Sequence, residues 1–352
     1  MTSVRVGVIG CGWIGNTTHV PAFAQNPKAR LIAICDADEG LLQKIGDKYG
    51  IRNRFRNYTE LIESKLVDAV SICTPTDTHS EIAISALEAG IHVLCEKPLA
   101  SNLQEADAIA TAVRSSKAHF MIGFNYRFLP NHVKARDLVR SGKIGDVVLI
   151  RGQLVAPGPY KSGVNEEEIA REAEKRKGAL FDLGAHIADL FIWMMGDPID
   201  VYAAFTAVSD SIPYDRTATA LIRFKSGVLG NIIVTWQNMP DYEAVADARV
   251  IEIIGTKGKI DSEFFGPSLF FYSSDSITSK IKGRIRMTPM KVNPNIPDDG
   301  LRSSYKKEID SFLDAIINDT EPAVTVNDGV NALRLVASAY DSAKLGHPIE
   351  LK

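Results

Sequence analysis

The run Val4-Arg5-Val6-Gly7-Val8-Ile9-Gly10-Cys11-Gly12-Trp13-Ile14-Gly15 constrains this chain more than any other stretch. A short apolar segment ends in Gly-x-Gly-x-x-Gly and a helical pattern follows, the arrangement in which a strand hands a dinucleotide pyrophosphate to a helix N-terminus. Gly10 permits the tight turn, Gly12 lets the backbone approach the phosphates, and Gly15 lets helix and strand pack closely. The N–H groups of the first helical turn, at Trp13 and Ile14, receive the negative charge with the help of the helix dipole. Glycine-rich turns are common, so context decides. Leu31-Ile32-Ala33-Ile34-Cys35 reads as a second strand and ends at Asp36, roughly 20 residues past the motif. A carboxylate there accepts hydrogen bonds from the adenosine ribose hydroxyls and repels a 2′-phosphate; the plainer reading is an ordinary turn residue. With both signals in register the stretch predicts dinucleotide binding. NAD is preferred over NADP, since Asp38 adds negative charge and no arginine sits nearby to compensate.

At 352 residues the chain exceeds one typical core and implies two domains. A net charge of −3 offers no footprint for nucleic acid. The locally basic segment from Lys280 to Lys291 lacks interleaved aromatics and reads as a solvated loop. No apolar stretch approaches the roughly 18 residues of a membrane span, and the first strand begins too early to leave room for a signal peptide. Cys11, Cys35, Cys73 and Cys95 fall at or near strand ends without metal-ligand spacing, and read as small buried hydrophobes rather than disulfides. The expectation is a cytoplasmic protein with no nucleic-acid partner, no membrane partner and no bound metal.

Residues 1–123 alternate strand and helix. Strands are expected at 4–9, 31–35, 54–55, 67–72, 92–95 and 120–122, with helices at 13–25, 39–49, 78–89 and 103–115. Strands separated by such helices imply parallel βαβ units and a doubly wound sheet. Ligands bind such sheets at the carboxyl ends of the strands, so the loops after Ile9, Cys35, Ile72, Cys95 and Ile122 should converge on one crevice. Residues 124–352 change character. After a helix at 132–141, period-two patterning at 201–207, 218–224, 228–236, 249–255 and 259–264, joined by short glycine turns, predicts a largely antiparallel sheet with one face buried. A partner subunit is a plausible cover for the other face. Helices are expected at 305–318 and 327–345, the final one a candidate to pack back on the first domain. The fold class is therefore α/β: a doubly wound parallel sheet, then an α/β domain with an open, mainly antiparallel sheet.

Two places carry candidate chemistry. Cys95-Glu96-Lys97-Pro98 ends a central strand, so Lys97 should project into the crevice, with Pro98 holding its backbone extended. A lysine there can bind a substrate hydroxyl and stabilise a developing alkoxide; the alternative is a surface lysine after a strand. The second is Asp182-Leu183-Gly184-Ala185-His186-Ile187-Ala188-Asp189. As a helix it puts Asp182, His186, Asp189 and Trp193 on one stripe and Leu183, Ile187, Leu190 and Met194 on an adjacent apolar one. A neutral imidazole suits proton removal near neutral pH, and Asp182 could orient it. A structural histidine, Asp182 as a helix cap or an Asp/His metal pair are the competing readings. Thr74-Pro75-Thr76-Asp77-Thr78-His79 should wall the nicotinamide side of the crevice, with Thr76 or Asp77 capping the next helix. Asn125-Tyr126-Arg127 falls at the domain junction, where Arg127 binds a polar substrate or pairs across the interface. Residues 156–177 read as a charged helix or lid, or as a solvated helix outside any site.

Taken together, Val6-Gly7-Val8-Ile9-Gly10-Cys11-Gly12, Thr74-Pro75 with His79, Glu96-Lys97-Pro98-Leu99, Gly123-Phe124-Asn125-Tyr126-Arg127-Phe128 and Asp182-x-Gly184-x-His186-x-x-Asp189 resemble the glucose–fructose oxidoreductase/inositol dehydrogenase family (Gfo/Idh/MocA). The resemblance covers nearly the whole chain. It implies an N-terminal Rossmann domain, a C-terminal sheet that often forms a homodimer or homotetramer interface, and NAD(P)-dependent oxidation of a sugar, inositol or related polyol. It assigns Lys97 to the substrate hydroxyl and nicotinamide, His186 to proton acceptance and Asp182 to both substrate and His186. It implies cofactor contacts at Gly10, Gly12, Trp13, Ile14, Asp36, Thr74, Pro75, His79, Glu96, Lys97 and Asn125, and a cis Lys97–Pro98 bond. Many members carry consecutive glycines before the catalytic Asp, where this chain has Lys175-Arg176-Lys177-Gly178-Ala179-Leu180. The preceding loop touches substrate in such proteins, which makes Tyr160 a substrate candidate beside Arg127. Relatives that cleave glycosides through transient oxidation, or that sense nucleotides without catalysis, are the alternatives.

Overall fold

The computed structural model describes residues 3–158, 165–237, 249–263, 268–274, 288–291 and 300–351. The chain divides into two compact units, Met1–Asn125 with Arg302–Leu333, and Tyr126–Leu301 with Arg334–Lys352.

The first unit is built on strands β1 (Val4–Ile9), β2 (Ala29–Cys35), β3 (Asn53–Phe55), β4 (Ala69–Ile72), β5 (His92–Glu96) and β6 (Phe120–Gly123) in the order β3-β2-β1-β4-β5-β6. Every neighbouring pair is parallel, and the strand order reverses between β1 and β4, the place where such sheets open a ligand crevice. Val6, Val8, Ala69, Val70 and Ile72 are fully buried, as expected of strands covered on both faces. Helices α1 (Val20–Gln25), α2 (Glu39–Tyr49), α3 (Tyr58–Glu63), α4 (His79–Glu88) and α5 (Leu103–Ser115) connect them. Two features depart from the sequence reading. The first helix opens with a π-turn at Gly15–His19 before α1 begins, and α3 fills a stretch to which the sequence pattern assigned no element, capped by Asn57 accepting the Thr59 N–H. Neither Thr76 nor Asp77 caps α4: they form a short 3₁₀ turn with Thr78, and no side chain caps the helix.

In the second unit, among the described residues, β7 (Val147–Ala156), β8 (Pro198–Ser209), β9 (Ile212–Phe224), β10 (Leu229–Trp236), β11 (Arg249–Gly255), β12 (Gly258–Glu263), β13 (Ser268–Ser273), β14 (Thr288–Lys291) and β15 (Ile349–Glu350) form one sheet in the order β14-β13-β12-β11-β7-β10-β9-β8-β15. β7 runs parallel to β10, and the other pairs are antiparallel. The sequence reading missed β7, whose run Val147-Val148-Leu149-Ile150 hides the alternation. It also took for a solvated loop a segment whose end, β14, is an edge strand. Helices α6 (Pro130–Arg140), α7 (Glu166–Arg176) and α8 (Ala185–Met195) complete this unit, with part of the last of the two C-terminal helices, α9 (Gly300–Asn318) and α10 (Val326–Leu345).

Small residues let α8 approach the sheet. A Cβ on Gly152 of β7 would lie 2.6 Å from Ile187 Cγ2, and one on Gly230 of β10 would lie 3.4 Å from the Phe191 ring. Ile187 and Phe191 are fully buried, each worth about 1.5–3 kcal/mol in transfer from water. By length and composition alone Glu166–Met195 would pass for a membrane span, contrary to the sequence reading. Its apolar window is 78% buried inside the protein, and α8 is a core helix.

Candidate active site

In the first unit the loops after β1, β2, β3 and β4 line a cleft of about 510 Å³ that includes Gly10, Gly12, Asp36, Arg56, Thr74 and Pro75. Gly10 sits at φ +93°, and a Cβ on it would come 2.6 Å from the Cys73 backbone. A Cβ on Gly15 would lie 2.0 Å from the Gly10 carbonyl oxygen, whereas one on Gly12 would meet nothing within 4 Å. The open space at Gly12 is the cradle a phosphate needs, and the residues present fit a dinucleotide. Trp13 is exposed and Ile14 half-buried at the helix start. Asp36 accepts the Cys11 N–H at 2.6 Å and the Asp38 N–H at 2.9 Å, which fixes its carboxylate at the cleft wall.

Arg56 corrects the expectation that no arginine lies near Asp36. It lines the same cleft from the loop after β3, 20 residues away in sequence, and its guanidinium stands 3.9 Å from Glu39. The four thiols are buried and free, and burial pushes Cys11 and Cys35 up to about 12.

Lys97 follows β5, and the Lys97–Pro98 peptide is cis, as the family resemblance implies. Its N–H donates to Glu96 Oε2 at 3.1 Å. His79 is buried and lowered from its usual pKa by that burial. Its Nδ1 lies 2.9 Å from the Pro98 carbonyl and its Nε2 3.0 Å from that of Thr74, so the ring fastens the loop after β4 to the Lys97–Pro98 segment. Asn125 is also buried and donates to Ser304 Oγ at 2.9 Å. His79, Glu96 and Asn125, read from sequence as cofactor contacts, thus have partners inside the unit.

In the second unit Asp182 lies in a π-turn, Leu180–Gly184, that runs directly into α8. The helix start is capped from a distance. Asp215 on β9 is fully buried and accepts the Leu180 N–H at 2.7 Å. It also takes the Tyr340 hydroxyl at 2.5 Å, while the Tyr340 oxygen receives the Phe181 N–H at 3.2 Å. Burial raises both Asp215 and Tyr340 above their usual ranges. Gly178, at φ +96°, is required because a Cβ would fall 1.8 Å from Asp215 Oδ1. The capping carboxylate is therefore Asp215, not Asp182, which instead stands 3.7 Å from Arg176.

His186 is 6% exposed and stacks on Tyr126 at a centroid distance of 3.9 Å, 15° from parallel. Arg127 is committed within the unit: its Nε and Nη2 donate to the two Asp189 oxygens at 2.8 and 2.5 Å, both residues being buried. Arg127 and Arg136 also lie over the Trp193 ring. The structure thus gathers Tyr126, Arg127, His186, Asp189 and Trp193, and presents the imidazole from a packed helix. Tyr160 lies outside the described residues. Residues 166–176 form α7, opened by Asn165 accepting the Glu168 N–H. His19, Ser71, Asp215 and Tyr340 went unremarked in the sequence as site residues; a lone histidine soon after the glycine motif was the one local signal among them.

Comparison with known proteins adds a family. Residues 4–124 match the model of the GFO_IDH_MocA oxidoreductase family, an NAD-binding Rossmann fold, and residues 132–261 match the C-terminal domain of the same family. An inositol 2-dehydrogenase of Rhizobium meliloti is 30% identical, with 97% of each chain covered. Myo-inositol 2-dehydrogenase of Thermotoga maritima is 29% identical, with 99% of each covered. The crystal structure of an oxidoreductase domain protein from Kribbella flavida is 26% identical and covers 100% of both chains with a TM-score of 0.86.

Proposed function

Because the chain belongs to the GFO/IDH/MocA family of NAD-binding oxidoreductases, we propose that it transfers a hydride between a secondary alcohol of an inositol, sugar or related polyol and NAD. The observation that carries the reading is the fastening of the Lys97–Pro98 segment by His79 to the cleft loop at Thr74. It sets Lys97 beside the cofactor loops. Bound in the cleft, NAD supplies the hydride acceptor, its nicotinamide C4. The Lys97 ammonium donates a hydrogen bond to the substrate oxygen and stabilises the alkoxide as it forms. The His186 imidazole takes the hydroxyl proton, and Asp182 binds the substrate and steadies the charged imidazole. Asp36 holds the adenosine ribose hydroxyls and disfavours a 2′-phosphate.

The two relatives named above are inositol dehydrogenases by name, which puts cyclic polyols first among substrates. Val148, Tyr202, Leu221 and Leu229 leave 43–56% of their surface exposed, and Tyr202 pairs across strands with Leu221. We assign this apolar sheet face to a homodimer or homotetramer contact, and the protein to the cytoplasm, where buried thiols stay reduced. The test is a screen of NAD and NADP reduction, followed at 340 nm, against inositols, monosaccharides and sugar nucleotides. Net NADH with a cyclic polyol is expected. Tightly copurifying cofactor with turnover but no net NADH would point to transient oxidation, and no turnover on any compound to a sensor.

A further inference from the structure

His19 is fully buried and closes the π-turn Gly15–His19 that follows the glycine-rich loop. Its Nε2 lies 2.8 Å from Glu96 Oε1, and Ser71 Oγ, on β4, lies 2.8 Å from its Nδ1. Cys73 Sγ stands 3.6 Å from that hydroxyl. The other Glu96 oxygen, Oε2, accepts the Lys97 N–H. A continuous line of hydrogen bonds therefore runs from Ser71 through His19 and Glu96 to the main chain of Lys97. The rings of Phe23 and Tyr305 pack 6.4 and 5.7 Å from the imidazole and help keep the line dry. Glu96 itself is 5% exposed, and a carboxylate so buried requires a partner. Burial alone would lower the imidazole pKa, but Cys73 and Glu96 outweigh it and hold the ring well above its usual value. Both ring nitrogens thus have a partner, Nε2 at Glu96 and Nδ1 at Ser71.

We propose that His19 is a positioning residue for hydride transfer: by anchoring Glu96 it fixes the main chain from which Lys97 presents its ammonium, and so joins the cofactor-binding loop to the group that stabilises the alkoxide. The inference rests on the reading of Lys97 given above. His19 reaches Lys97 only through Glu96. With the imidazole gone, the carboxylate loses its anchor at Oε1 and the bond from the Lys97 N–H to Oε2 loosens. A misplacement of about 1 Å at a reacting group lowers rate on the order of 10²-fold. Ligand atoms of His19, Glu96 and Glu308 lie within 4.8 Å of one another, so a divalent ion is the rival account of the same cluster.

The experiment compares His19→Phe, which keeps ring volume without donors, with His19→Asn, which can serve Ser71 but falls short of Glu96, and His19→Gln, whose longer amide can reach Glu96. Each is made in the full chain, alone and with Lys97→Ala, and assayed for kcat, KM and NAD affinity with the best polyol of the screen. His19→Phe and His19→Asn should lower kcat about 10- to 100-fold with NAD affinity within about threefold, and His19→Gln should recover most of the loss. Added to Lys97→Ala, none should lower kcat further, because the effect passes through Lys97. Losses that multiply in the double variants, or equal loss in all three His19 variants, would overturn the inference. So would a stoichiometric metal whose removal by chelation reproduces His19→Phe. A dead Lys97→Ala with a fully active His19→Phe defeats the inference alone; a fully active Lys97→Ala defeats the reading of Lys97 and the inference with it.

Discussion

The parallel-sheet unit and the mixed-sheet unit hold their candidate groups by different means. In the first the main chain sets the positions: Gly10 at φ +93°, loops at the ends of parallel strands, and the Lys97 N–H on Glu96. In the second, side chains from distant strands and helices set them. Asp215 and Tyr340 secure the start of the helix, Tyr126 stacks on His186, and Asp189 takes a forked pair of bonds from Arg127. A backbone site concentrates its requirements in a few residue types that only glycine can satisfy. A side-chain site distributes them over many residues, each replaceable at a graded loss. Two buried histidines, one in each unit, are shifted in opposite directions. His19 is raised well above its usual value by its neighbours Cys73 and Glu96, whereas His132, whose Nδ1 lies 3.0 Å from the Tyr126 carbonyl, is lowered by burial to about 4.

The largest effect expected from this contrast is on chemistry. His186→Asn should lower kcat by about 10²- to 10⁴-fold, while NAD affinity, followed by titration, stays within about twofold. Loss of NAD binding would place the imidazole's role with the cofactor and break the division. Next, Asp189→Asn leaves the buried Arg127 without its anion and should cost about 3–5 kcal/mol, read from denaturant unfolding. A loss below about 1 kcal/mol would mean that side-chain pairing does not hold this unit together.

The third prediction is one of pH. Below about 6.5 the unfolded chain protonates His132, which the fold keeps neutral until about 4. Stability should therefore fall as pH drops through that window, by up to roughly 3 kcal/mol from this group. His132→Gln should flatten that part of the stability curve, and an unchanged slope would count against the neutral buried ring. Smaller still, Gly12→Ala should leave the melting temperature unchanged, since a Cβ there meets no protein atom. It should weaken NAD about tenfold, roughly 1.4 kcal/mol; a lowered melting temperature would show that Gly12 serves the fold instead. The smallest change is in selectivity. Asp36→Ser should admit NADP several-fold better, and Arg56→Ala in that background should reverse the gain, as measured by the ratio of kcat/KM for the two cofactors.

The same contrast explains what could be read from the chain. The glycine motif, Asp36, and the helices Glu39–Tyr49 and Leu103–Ser115 were legible because local rules decide them: turn conformation, strand ends and period 3.6. Lys97 and His186 were legible as candidates because each ends or occupies a strongly patterned element. Strand β7 was not, because a central strand with both partners bonded need not alternate when its first residues are all apolar. Asp215 was not, because its partners Leu180 and Tyr340 come from an earlier helix start and the final helix. Arg56 escaped because the loop after β3 reaches the cleft only once the sheet is assembled. The π-turn at Leu180–Gly184 shifts the phase of the stripe drawn from Asp182, which helical periodicity alone cannot reveal.

The most direct measurement follows the hydrogen itself. With the best polyol of the screen deuterated at its carbinol carbon, mass spectrometry of the NADH from a single turnover should find one deuterium in the nicotinamide, and single-turnover NADH formation should slow with a primary isotope effect. NADH without the label, or label lost to water with NAD unchanged at the end of turnover, would contradict direct hydride transfer to the bound cofactor.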